Sequence, residues 1–99
     1  MGKEGGGKRN ETETAQRGLW RLMLKLPAMR GRLQILALKS RSLGDLFEAY
    51  EEACLALERL MRQPGVEHRS MVVEYETICA EIESDIIQYV LEHSSNVSG

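Results

Sequence analysis

The sequence predicts an all-α protein: an antiparallel hairpin of helices at about 42–62 and 67–92, with a basic, Pro27-kinked N-terminal helix completing a three-helix bundle. Three observations carry that prediction. The vocabulary is helical, rich in Leu, Glu, Arg, Ala, Met and Ile, with five aromatics (Trp20, Phe47, Tyr50, Tyr75 and Tyr89) among 99 residues. Apolar residues recur at alternating steps of three and four, the spacing of one helix face. A Gln63-Pro64-Gly65 turn then divides two such stripes by a connection short enough to force the helices antiparallel.

The first stripe is Leu19, Leu22, Leu26, Met29, Leu33 and Leu36. Pro27 falls within it; with no amide hydrogen and a steric penalty on helical Leu26, it should kink the helix or restart it as a first-turn residue. The segment KSRSLGD is a softer interruption. Ser40, Ser42 and Gly44 are together poorer helix formers than three alanines by roughly 2 kcal/mol, and Ser42 with Asp45 makes a weak capping box, so a break is expected near 40–43. Without that break, a helix from 28 to 62 would be about 52 Å long, and its uncovered stripe would need a second chain, making a dimer.

The second stripe is Leu43, Phe47, Tyr50, Cys54, Leu57 and Met61, and the third is Val72, Tyr75, Cys79, Ile82, Ile86 and Tyr89. Folding about Pro64-Gly65 opposes Met61 to Val72, Leu57 to Tyr75, Cys54 to Cys79, Tyr50 to Ile82, Phe47 to Ile86 and Leu43 to Tyr89. Every layer sets apolar against apolar, the consistency expected of a correct register. Residues 14–93 form the single helical domain, between polar tails at 1–13 and 94–99 expected to be disordered.

Charge is divided along the chain. Residues 1–41 carry ten Lys and Arg against three Glu, a balance of +7, whereas 42–99 carry three Arg against twelve acids, a balance of −9. Such asymmetry indicates self-complementary packing or a basic segment offered to something anionic. Arg17, Arg21, Lys25, Arg32 and Lys39 fall within about 80° on a helical wheel beside the first apolar stripe, and Trp20 lies outside that stripe. Two uses are open. The basic edge can face the acidic flanks of the hairpin, or Trp20, Arg21, Lys25 and Arg32 can contact a partner.

Chemistry is harder to find. There is no Cys-x-x-Cys, phosphate-binding glycine loop or nucleophile elbow, and neither histidine completes a Glu-x-x-His motif, because position 65 is Gly and position 90 is Val. Cys54 and Cys79 should face each other as small buried thiols. Helix axes about 8–10 Å apart do not favour a disulfide, which usually needs Cα atoms within about 6.8 Å; a redox pair remains open, and zinc needs more ligands than the pair supplies. The acids of the hairpin, Glu51 and Glu83 among them, mostly lie off the apolar stripes and are expected on a solvated face.

No secretory leader or spanning apolar run is evident, so a cytoplasmic, soluble protein is expected. The function expected is that of a small non-enzymatic helical protein-interaction or regulatory module, with no cofactor and with a protein partner or homodimer. Binding of a nucleic acid or membrane through 14–41 is the alternative, and redox chemistry at Cys54 and Cys79 a lesser one. Both polyanion alternatives suffer from the acidic second half, which repels the surface that the first half attracts.

Overall fold

A computed structural model describes the backbone of residues 3–63, 65 and 69–98, and the side chains of 13–63, 65 and 69–93. Among the described residues the chain is helical, without strands: α1 (Lys3–Lys25), a 3-10 turn (Pro27–Met29), α2 (Arg30–Lys39), α3 (Arg41–Arg62) and α4 (Arg69–Ser98). Helical backbone thus extends into both segments expected as tails. Pro64 and residues 66–68 lie outside the described residues, as does the expected start of the last helix at 67. Gly65, in the turn, has φ 144°, a conformation that side chains disfavour.

The single kinked first helix becomes two helices. Leu26 makes the last α1-type bond, to the Leu22 carbonyl at 2.7 Å, but its own backbone leaves helical space at φ −123°, ψ 66°. That departure is the restriction a proline imposes on the residue before it. Pro27 then opens a one-turn 3-10 segment, closed by Met29 N–H donating to the Leu26 carbonyl at 2.9 Å, and α2 restarts beyond it.

The second break falls at Ser40, and no continuous helix from 28 to 62 forms. Ser40 is extended (φ −123°, ψ 118°); its N–H donates to Leu36, ending α2, while its hydroxyl accepts from Leu43 N–H at 3.1 Å, starting α3. The cap is therefore Ser40, and Ser42 lies inside the first turn of α3. The extended conformation needed at an N-cap is met one residue before the helix begins, and Ser40 fills it.

α3 is the central element. α1 and α4 both pack on it with little backbone contact between each other, and α2 touches all three. This places α2, not the whole first helix, in the position that meets every other layer. The extents are 51 × 39 × 18 Å, those of a flat arrangement. The core contains Leu22 from α1, Leu33 and Leu36 from α2, Leu43, Phe47, Tyr50 and Ala53 from α3, and Cys79, Ile86 and Val90 from α4. Gly18 permits the α1–α3 approach: a Cβ there would lie 2.0 Å from the Phe47 carbonyl oxygen.

Two expected positions differ. Met61 is 63% exposed, so the outermost apolar layer toward the turn is open on the α3 side. Glu51, expected on a solvated face, is buried at 2% exposure because Arg21 reaches across from α1 to meet it.

Candidate interaction surface

The basic edge of α1 divides by helix position. Arg21 Nε donates to Glu51 Oε1 at 2.5 Å, and its Nη1 donates to Glu58 Oε2 at 2.8 Å, so one guanidinium clamps α1 to two acids of α3. One turn later, Lys25 Nζ donates to Glu83 Oε2 at 2.6 Å and ties α1 to α4. The same Glu83 oxygen also accepts from the Tyr50 hydroxyl. Glu58 and Glu51 raise the Arg21 pKa, Glu83 raises that of Lys25, and Arg21 lowers that of Glu58. Arg21 and Lys25 are thus engaged within the fold, the first of the two uses open to the basic edge. Arg32 is exposed on α2.

Cys54 and Cys79 meet beside this network. Both are free thiols, Cys79 buried and Cys54 half-buried. Burial pushes Cys79 up to about 11, with further contributions from the charge and hydrogen bonding of Cys54 and from Glu83. Reactive thiols need the opposite shift, which stabilises the thiolate. Among the described residues, no group of three or more His, Cys, Asp or Glu is placed to hold a metal ion. His93 stacks on Tyr89 with ring centroids 3.9 Å apart, and its Nδ1–H donates to the Tyr89 carbonyl at 2.8 Å, a local packing role at the end of α4.

The open surface lies on the other side of α1. The turn at 26–29 folds α2 back beside α1, and Trp20, Met23 and Leu24 face Arg30 and Gln34 across a cavity of about 340 Å³. Leu38, one turn beyond Gln34 on the same helix face, is 90% exposed. Trp20, Leu24 and Ile35 are each more than half exposed. An apolar groove of this kind is the feature that marks interaction sites on soluble helical proteins.

Its electrostatic setting is one-signed. No acid occurs between Glu13 and Asp45, whereas seven cations do: Arg17, Arg21, Lys25, Arg30, Arg32, Lys39 and Arg41. With Arg21 and Lys25 turned to the acids of α3 and α4, the remaining five are exposed. Arg17 lies on the Trp20–Leu24 face of α1, and Arg30 lines the cavity from α2.

The predicted contact set therefore separates into Trp20, which lines the groove, Arg21 and Lys25, which stitch the fold, and Arg32, which is exposed elsewhere on α2. Met23, Leu24, Arg30, Gln34 and Leu38 were missed. The available signal was the surplus of large apolar residues off the core stripe, at 24, 35 and 38. No helix among the described residues is long and apolar enough to cross a membrane. The chain matches no protein-family model, and no curated protein or solved structure shows significant similarity to it.

Proposed function

We propose that the chain is a small non-enzymatic helical protein-interaction module whose α1–α2 groove takes an acidic amphipathic helix. The observation that carries this is the apolar wall of Trp20, Met23 and Leu24 on α1 facing Arg30 and Gln34 of α2, with exposed Leu38 one turn beyond Gln34 and Arg17 on the Trp20–Leu24 face. A partner helix would lay its apolar stripe between the ridges and its carboxylates against the arginines, the helix-in-groove mode of recognition. In this reading α3 and α4 form an antiparallel hairpin, supported by the Tyr50–Glu83 bond, and α1 with α2 supplies the third layer of a bundle. The free thiols fit a reducing, cytoplasmic setting.

Trp20 is the single tryptophan, so tryptophan emission, excited at wavelengths the three tyrosines do not absorb, reports the groove alone. Titration with a designed helical peptide, Leu on one face and Glu on the other, is expected to shift the emission to shorter wavelength and to saturate. Leu24→Lys and Leu38→Lys are expected to abolish the shift while leaving the helical circular dichroism unchanged. No shift with the wild-type chain removes the proposal.

A second reading rests on the acid-free segment and its five exposed cations, which would hold an anionic vesicle or polynucleotide. It is the weaker one because the −9 balance of residues 42–99 opposes approach to an extended polyanion. Salt-sensitive binding to phosphatidylserine vesicles or heparin that survives Leu38→Lys but is lost with Arg30, Arg32 and Lys39 replaced by Gln would favour it.

A further inference from the structure

We infer that the groove's occupant is α4 of a second copy of this chain, an inference that rests on the groove reading above and names its partner. α4 carries two stripes. One, from Tyr75 and Cys79 through Ile82 to Ile86 and Val90, packs into the chain's own core. The other is Val73, Thr77, Ala80, Ser84 and Leu91, all exposed, which share an arc of about 60° at roughly 100° per residue.

Val73 is 56% and Leu91 50% exposed, large apolar side chains at the ends of a run with small ones between them. Glu74, Glu81, Asp85 and Glu92 are exposed along one side of it, at steps of seven, four and seven. The outer face of α4 therefore pairs two exposed apolar side chains and a small-residue strip with an acidic flank, the charge complementary to Arg17 and Arg30 of the groove. It spans about 27 Å from Val73 to Leu91, and α2 is about 15 Å long, so roughly half the stripe fits the groove at once.

The same molecule holds both halves of the contact but cannot join them. The inner face of α4 is committed to α3 and its outer face points away from it, so only another copy can present an α4 to the groove. Arg17 and Arg30 would meet Glu81 and Asp85, and the small Ala80 and Ser84 would allow close approach to Trp20 and Leu24. Two different surfaces meet: where both copies engage reciprocally the interface is isologous and closes as a two-fold dimer, and where they engage one way it is heterologous and grows head to tail. One helix in one groove is a small interface, and the association should be weak and weakened further by salt.

The test is sedimentation equilibrium of the full chain, from about 1 to about 200 µM, a range that brackets a micromolar complex. The weight-average mass is expected to rise above the 11.2 kDa monomer with concentration, less so at high salt. Two charge-reversed chains, Arg17→Glu with Arg30→Glu and Glu81→Lys with Asp85→Lys, should each remain monomeric while keeping wild-type circular dichroism. Mixed in equal amounts they should associate, since each groove then finds an α4 of opposite charge. A wild-type mass that stays at the monomer value throughout overturns the inference, as does undiminished association of either reversed chain alone. If the wild type is monomeric while the designed acidic peptide still shifts Trp20, the second-copy inference falls and the groove reading stands; if the peptide fails too, both fall.

Discussion

Arg21 on α1 donates to Glu51 on α3 across 2.5 Å, and the carboxylate it reaches is only 3% exposed on its side chain. The guanidinium itself is 31% exposed and also holds Glu58 at the rim. Removing the cation strands a carboxylate in the core, whereas removing the rim acid leaves the buried bond intact. Arg21→Ala is expected to cost about 2–3 kcal/mol and Glu58→Ala less than about 1, measured by urea denaturation. Replacing both partners, Arg21→Met with Glu51→Leu, should recover most of the loss. Equal costs for Arg21→Ala and Glu58→Ala would show that Glu51 does not depend on the pair.

The cluster where α1, α3 and α4 meet should make stability fall on the alkaline side. Burial and Cys54 raise Cys79 from 9.0 to about 11, so the native state favours the protonated thiol. That contribution is fully present below 9.0 and is lost as pH rises through about 11. Lys25, raised by Glu83 above 10.5, acts in the same direction and loses its contribution as pH rises through its folded value. Stability is expected to be level from about pH 7 to 9 and then to drop by about 2 kcal/mol toward pH 11. Cys79→Ala should flatten the earlier part of that limb. At neutral pH a chromogenic thiol reagent should modify half-buried Cys54 well before Cys79.

Three glycines within helices, Gly18, Gly31 and Gly44, should respond with opposite signs. Gly18→Ala drives a methyl to 2.0 Å from the Phe47 carbonyl oxygen, a backbone atom that cannot rotate away. It should cost about 1–3 kcal/mol by prising α1 from α3. Gly31 and Gly44 have nothing within 4 Å of an added Cβ, so Gly31→Ala and Gly44→Ala should each stabilise by about 0.5–1 kcal/mol. Thermal melts of the three variants check this; a stabilising Gly18→Ala would mean that α1 does not approach α3 at Phe47.

What could be read from the sequence follows from what periodicity encodes. It identifies the inward face of each helix, and Leu22, Leu33, Leu36, Leu43, Phe47, Cys79 and Ile86 are all in the core as spaced. Periodicity does not encode how far a side chain reaches across a seam. Glu51 reads as solvated by its neighbours in the chain and is buried because Arg21 arrives from thirty residues away. Nor does it choose between the kink and the restart that Pro27 allows, and the structure takes the restart. The groove follows from that second point: once α2 folds back, Trp20, Met23 and Leu24 come to face Arg30 and Gln34 across a space that a merely kinked helix would not create.

Ser40 joins α3 to α4 through one hydroxyl while its amide closes α2, and loss of the hydroxyl should cost more than loss of an ordinary cap. The Oγ accepts from Leu43 N–H at 3.1 Å and from the Tyr89 hydroxyl at 2.6 Å, so the α2–α3 break is tied to α4. An N-cap serine is worth about 1 kcal/mol and a hydrogen bond between side chains about another. Ser40→Ala is therefore expected to cost about 2 kcal/mol and Tyr89→Phe about 1. The double variant should cost no more than Ser40→Ala alone, because the Tyr89 bond is already lost; full additivity would mean that the two hydroxyls are not coupled. Ser40→Asp, which keeps an acceptor for both donors and adds negative charge at a helix N-terminus, should remain within about 0.5 kcal/mol of the wild type.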